Sequence, residues 1–153
     1  MPIVFVHVND PVARGFVASL ARPGGNATGF THIEYQMSAK WLELLKQIAP
    51  NVTRVAVMGG NFAVFDGASQ LKAIQDVAPS FGVEASPIEV GDAGQIERGI
   101  SAFAQGANDG LIVTENVATF YYHRLIVTLA ARLKMTLPVS PLAAVEAPAR
   151  TKA

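Results

Sequence analysis

The chain has 153 residues, 50% of them hydrophobic, and its 12 Lys plus Arg balance 12 Asp plus Glu. This length corresponds to about one domain with a substantial core. A net charge of zero argues against nucleic acid or an acidic membrane surface as a partner. The absence of cysteine excludes disulfides and thiolate chemistry, and it is compatible with both the cytoplasm and the periplasm.

The chain begins with a strand pattern and not with an export signal. The first residues lack a basic segment followed by a long apolar segment and a small-residue cleavage site, so a complete protein of this sequence is expected in the cytoplasm. Charge-free stretches such as residues 55–65 are far shorter than the roughly 18 residues of a transmembrane helix.

The first predicted unit is a strand followed directly by a helix. Residues 3–8 form an apolar, β-branched run typical of a strand covered on both faces. Asp10 can cap a helix over residues 11–21, and the Pro-Gly-Gly sequence at 23–25 ends it. Residues 26–32 then indicate a loop or a short extended crossover.

The next segments continue this alternation. The strongest amphipathic pattern predicts a helix over residues 37–49, and a buried strand follows at 54–58. Asp66 can cap a further helix that ends before Gly82. The apolar stripe of the 37–49 helix consists of Trp41, Leu44, Leu45 and Ile48.

The second half of the chain repeats the pattern. Residues 83–90 indicate a weaker strand, because Pro87 cannot donate a ladder hydrogen bond and is tolerated best at a sheet edge or in a bulge. Asp92 has the spacing of a helix cap, and residues 109–114 form another buried strand. Thr119 can cap the last helix. Residues 135–139 can return as a short strand.

Alternating strands and helices of these lengths predict an α/β fold, a three-layer sandwich whose mostly parallel sheet is covered by helices on both faces. In such sheets, ligands bind at the carboxyl ends of the strands. The Ala- and Pro-rich segment 141–153 is predicted to be a disordered tail.

Polar residues follow three of the predicted strands and are the candidate ligand-binding residues. Each has a structural alternative, because Asp10 and the 115–116 pair can simply cap helices and the glycines at 59–60 can simply form a tight turn. The glycine-containing loop precedes a helix, where backbone N–H groups can also hold an anion. The candidates are Asn9, Asp10, Asn61, Phe62, Glu115 and Asn116.

No arrangement of residues indicates catalysis or metal binding. His7, His32 and His123 are far apart and have no metal-ligand spacing, and no nucleophile elbow accompanies them. The sequence therefore predicts no enzyme, no catalytic residue, no metal and no cofactor.

Three blocks of sequence resemble a known family. "PIVFVHVNDPVARGFVASLARPGGNATGFT", "KWLELLKQIAPNVTRVAVM" and "HRLIVTLAARLKMTLP" are similar to the ABC transporter substrate-binding proteins of the tryptophan/tyrosine-binding type. The resemblance implies a periplasmic-binding-protein type I lobe, a periplasmic location and an ABC permease as partner. It also implies a small solute, such as an aromatic amino acid, in a cleft between two lobes.

The resemblance further implies how the chain is divided. Residues 1–50 correspond to a remnant of the first lobe and a crossover, and residues 51–140 correspond to the second lobe. The chain is therefore expected to be incomplete at both ends, with half of the ligand clamp missing and with weak or no ligand binding. Exposed strand edges then favour a homodimer. The alternative is a stand-alone small α/β dimeric module or sensor with no role in transport.

Overall fold

The computed structural model describes residues 1–138 except His32, Val64 and Ala107, and for Phe65 it describes the backbone without the side chain. The chain divides into two compact units, Met1–Met37 and the remainder from Ser38 onwards. The assignment of residues 1–50 and 51–140 to two lobes stays a prediction. The predicted tail, 141–153, lies outside the described residues.

The first unit contains a two-stranded parallel sheet. Strand β1, Ile3–Val6, pairs with strand β2, Ala27–Phe30, which lies within the segment predicted as a loop or crossover. The prediction that the first strand is covered on both faces is wrong, because Val4 and Val6 are each 66% exposed.

The predicted helix over residues 11–21 is absent, and the described chain there forms turns. One turn begins normally, with the Arg14 N–H donating to the Asp10 carbonyl. Gly15 then adopts a positive φ of 73°, which ends the turn. The apolar side chains of Phe16 and Leu20 stay exposed and Val17 is buried, so most of the predicted stripe lacks the packing that stabilises a helix of this length.

From residue 37 to residue 113, helices and strands alternate as predicted, and the single last helix predicted after them is divided into two. The elements are α1 Met37–Ile48, β3 Arg54–Gly59, α2 Phe65–Val77, a 3-10 turn Ala78–Phe81, β4 Glu84–Glu89, α3 Ala93–Phe103, β5 Asp109–Val113, α4 Val117–Tyr121 and α5 His123–Arg132. The strands form a parallel sheet in the order β4-β3-β5. This confirms the predicted α/β class with a parallel sheet.

The central strand β3 has an apolar core on each face. Val55 and Val57 pack with Leu42 and Leu45 of α1 and with α2. The intervening residues of β3 point to the opposite face, where they pack with buried residues of α3 and α5. The strand that carries the apolar run at 55–58 is therefore the centre of the middle layer of a three-layer sandwich.

Several local sequence signals are confirmed. Pro87 lies in β4, which has a partner strand on one side only among the described residues. Gly82 has a positive φ of 63° and ends the 3-10 turn after α2. Asp92 caps α3, its Oδ1 accepting a hydrogen bond from the Gln95 N–H at 2.8 Å.

Other local predictions are wrong or only partly realised. Helix α2 begins at Phe65, so Asp66 lies inside its first turn and does not cap it. In α1, Leu42 and Leu45 are buried whereas Leu44 is 51% exposed and Ile48 is 62% exposed, so the apolar stripe is rotated from the predicted one. The predicted strand at 135–139 is, within the described residues, an isolated parallel bridge of Thr136 to Gly110.

Candidate functional site

Three segments converge at the carboxyl ends of the strands in the larger unit. We call them the carboxyl rim: residues 59–63 after β3, 89–92 after β4 and 114–119 after β5. The glycine backbone of the first segment packs against side chains of the third. A Cβ atom built on Gly60 would lie 3.5 Å from Asn116 Cγ, and one on Gly59 would lie 2.5 Å from Thr114 Oγ1. The structure thus brings the predicted 61–62 and 115–116 pairs to one edge of the sheet.

Asn116 is the N-cap of the five-residue helix α4. Its Oδ1 accepts hydrogen bonds from the N–H groups of Ala118 at 2.9 Å and Thr119 at 3.0 Å. The prediction that Thr119 is the cap is wrong, since Thr119 is the third helical residue, whose hydroxyl accepts from the Asn116 N–H. Within the described residues, the buried Asn116 Nδ2 has no hydrogen-bond partner.

The loop after β3 uses its backbone donors internally. The Asn61 Oδ1 accepts a hydrogen bond from the Ala63 N–H at 2.7 Å. The Phe62 N–H donates to Oε1 of Glu89 at 3.1 Å, which joins this loop to the end of β4. Two N–H groups that could have held a ligand anion are therefore already engaged.

Sequence reasoning missed Glu89. It is the last residue of β4 and so lies at the same carboxyl edge as the predicted residues. The same strand-end argument would have identified it.

The carboxyl rim is acidic. Its three segments contain Glu89, Asp92 and Glu115, and no Lys, Arg or His occurs in them. One oxygen of Asp92 caps α3, so that carboxylate has a structural role as well. The rim as a whole favours a ligand group with positive charge or hydrogen-bond donors.

Asn9 and Asp10 lie in the smaller unit, and their use as ligand-binding residues stays a prediction. Asp10 is buried and its two carboxylate oxygens accept hydrogen bonds from the N–H groups of Ala13 and Tyr35, both at 2.9 Å. The Asn9 carbonyl accepts a hydrogen bond from Arg14 Nε at 3.0 Å. These contacts support the structural interpretation of Asp10, in which its carboxylate stabilises turns.

An open groove of about 560 Å³ lies at the opposite end of the sheet. Its lining includes Thr53, Gly82 and Glu84, at the amino ends of β3 and β4. The groove is therefore distant along the strands from the carboxyl rim. Across the described ranges, no three His, Cys, Asp or Glu side chains are grouped so that they could hold a metal ion.

A parallel sheet between two helical layers, with polar loops at the carboxyl ends of its strands, is typical of ligand-binding α/β proteins. The family model described as "ABC transporter substrate binding protein" matches residues 1–149. The chain therefore belongs to this family of substrate-binding proteins.

Individual relatives agree with this assignment. A curated "Tyrosine-binding protein" of Clostridioides difficile (strain R20291) is 27% identical over 117 residues, which is 76% of this chain and 33% of that protein. The ligand-free, open structure of a substrate binding protein with adhesive properties from Clostridium difficile is 28% identical, with a TM-score of 0.68 over 90% of this chain and 45% of that one.

Two more distant structures share the fold. The ABC domain in complex with L-Trp from Streptococcus pneumonia has a TM-score of 0.69 and 19% identity over 93% of this chain and 48% of that one. A conserved domain protein from Vibrio cholerae O1 biovar eltor str. N16961 has a TM-score of 0.71 and 22% identity, over 94% of this chain and 47% of that one. These likenesses confirm a periplasmic-binding-protein-like fold. The chain spans less than half the length of each relative.

Within residues 1–138, apart from the three omitted positions, no helix is both long enough and apolar enough to cross a bilayer.

Proposed function

We propose that the chain is the solute-binding component of an ABC importer, or a part of one, and that its solute is an aromatic amino acid. The observation on which this depends most is the 27% identity to the curated tyrosine-binding relative over 117 residues. The family model over residues 1–149 gives the same class of protein. Binding and release of a solute require no covalent step, so the proposal includes no enzymatic activity.

The carboxyl rim is the proposed ligand-contacting wall. Asn61, Phe62, Glu115 and Asn116 meet there, and Phe62 adds an aromatic ring that is only partly buried. Such a ring can stack on the side chain of an aromatic amino acid. Asn116 Nδ2, a buried hydrogen-bond donor that has no partner among the described residues, lies next to this ring's loop.

In the proposed mechanism, a second lobe supplies the opposite wall, because most of a small ligand's surface is buried only when two walls enclose it. The cleft would close around the solute, and the permease would then bind the closed form. A periplasmic location is part of the same proposal, since an importer's binding component meets its solute outside the inner membrane.

We also propose that the chain forms a homodimer. Its support is the exposed apolar surface of β1, including Val4 and Val6. Sedimentation equilibrium of the purified chain tests this part: a mass of two chains is expected, and a mass of one chain at all concentrations would exclude the dimer.

Isothermal titration calorimetry with L-tyrosine and L-tryptophan tests the proposed solute. One wall should give saturable binding in about the millimolar range, corresponding to about 4 kcal/mol. Phe62→Ala should weaken it by about 0.5–1.5 kcal/mol through loss of ring stacking. Phe81→Ala is the matched control for the loss of an aromatic residue. The Phe81 ring is partly buried against the core and lies after the carboxyl end of α2, away from the rim.

Two calorimetric results would contradict the proposal. Equal binding of L-alanine and L-tyrosine would contradict an aromatic solute. No saturable heat with any amino acid up to tens of millimolar would contradict the proposal that this rim is a ligand wall.

A further inference from the structure

We propose that Glu89 selects the charge of the solute at the carboxyl rim, favouring a ligand ammonium and disfavouring a ligand carboxylate. This inference rests on the proposed function, because it assigns a role within the same ligand wall. It assigns a role to Glu89, a strand-end residue that is not among the six candidates predicted from the sequence.

The geometry fixes the Glu89 carboxylate in front of the loop that follows β3. Its Oε1 accepts a hydrogen bond from the Phe62 N–H at 3.1 Å. Its other oxygen, Oε2, accepts no hydrogen bond from any described residue, and the residue is exposed. A carboxylate held by one oxygen can accept a hydrogen bond from a ligand ammonium with the other.

The same contact blocks the opposite arrangement. A loop that leads from a strand into a helix commonly holds an anion with its backbone N–H groups. Here the Phe62 N–H is bound by Glu89 and the Ala63 N–H is bound by the Asn61 side chain. A ligand carboxylate would therefore have to displace Glu89 from this loop.

The neighbouring charges act in the same direction. Glu115 lies in the segment after β5, and the rim segments contain no basic residue. On α3, the Arg98 guanidinium and Asp92 Oδ1 both lie beside Gly94: a Cβ atom built there would be 3.1 Å from Arg98 Nη1 and 3.3 Å from Asp92 Oδ1. Arg98 can therefore offset the charge of Asp92, which leaves Glu89 and Glu115 to set the preference.

The consequence is an orientation for an amino acid ligand. Its ammonium should face the Glu89 side of this wall, and its carboxylate should face away from the rim or towards the second wall. Ligands that share an aromatic ring but differ in charge should then bind with different affinities.

Three indole probes separate these contributions: tryptamine is cationic, indole-3-propionate is anionic, and indole is uncharged. Their affinities are measured by calorimetry for the unmodified chain, for Glu89→Gln and for Glu84→Gln. Glu84 is the matched control, because it is exposed and lies at the opposite end of the same strand. The unmodified chain should bind tryptamine more tightly than indole-3-propionate.

In Glu89→Gln, the affinity ratio of tryptamine to indole-3-propionate should fall by up to about fivefold, as expected for an exposed ion pair. In Glu84→Gln it should stay the same, and added salt should reduce the ratio in the unmodified chain. Exchange of the Phe62 amide hydrogen should be faster in Glu89→Gln, which gives a readout independent of ligand.

The outcomes distinguish the two proposals. If indole binds but Glu89→Gln leaves the ratio unchanged, the selection by Glu89 is overturned and the ligand wall stands. If none of the three probes binds, the proposed function fails and this inference fails with it.

Discussion

Gly59, the last residue of β3, should tolerate no side chain. A Cβ atom built there would lie 2.5 Å from Thr114 Oγ1 and 2.7 Å from the tip of the Phe62 ring. Both distances are shorter than van der Waals contact. Thr114 is buried, and its hydroxyl donates to the Met58 carbonyl at 3.2 Å, so it cannot move without losing that bond. Gly59→Ala should therefore destabilise the fold by about 1–3 kcal/mol, the usual cost of overpacking.

Gly60→Ala is the matched control one residue further along. A Cβ atom there would lie 3.5 Å from the nearest atom, Asn116 Cγ, which is ordinary contact. Its effect should stay within about 0.5 kcal/mol. Urea unfolding followed by far-UV circular dichroism measures both variants as a change in midpoint at constant m value. Equal midpoints for Gly59→Ala and Gly60→Ala would refute the steric argument.

Three further predictions, with four substitutions in total, concern the larger unit and are tested by the same urea assay. Asp109→Ala should lower the free energy of unfolding by about 1–3 kcal/mol, because this buried carboxylate accepts hydrogen bonds from two loop N–H groups and pairs with Arg54 at 3.2 Å. An unchanged midpoint would mean that the pair does not contribute to stability. Asp92→Ala removes the cap of α3 and should cost about 1 kcal/mol, whereas an unchanged midpoint would argue against the cap. Leu45→Ala should cost about 2–5 kcal/mol and Leu44→Ala far less, since the first side chain is buried and the second is half exposed; the reverse order would contradict the observed face of α1.

The larger unit was predictable because its signals are local and agree with each other. The apolar run at 55–58 needs cover on both faces, and Pro87 limits its strand to a sheet edge or a bulge. Gly82 and Asp92 mark where a helix ends and where the next begins. Each of these signals depends on backbone geometry that neighbouring residues do not override.

The failures have two physical sources. The stripe through Phe16 and Leu20 predicted a helix, but amphipathicity stabilises a helix only where another layer covers the stripe, and Gly15 ends the turn first. Within α1, spacing alone could not decide between Leu44 and Leu42 for the buried side. That choice is made by packing on the sheet.

For the candidate site, the sequence predicted which loops lie together but not which contacts their side chains make. Strand ends placed Asn61, Phe62, Glu115 and Asn116 on one edge, and the structure agrees with that placement. It also gives Asn116 the capping role that the sequence had left as an alternative. The contact of Glu89 with the Phe62 amide could not be predicted, because it depends on a side-chain conformation across neighbouring strands.

The most direct test of the account is a titration of the isotopically labelled chain with L-tryptophan, in which the chemical shifts of the backbone amides are measured at each ligand concentration. We predict progressive, saturable shifts concentrated at residues 59–63, 89–92 and 114–119. Shifts concentrated instead around Thr53 and residues 82–85, at the groove on the opposite end of the sheet, would contradict the claim that the carboxyl rim is the ligand wall, and so would the absence of any saturable shift.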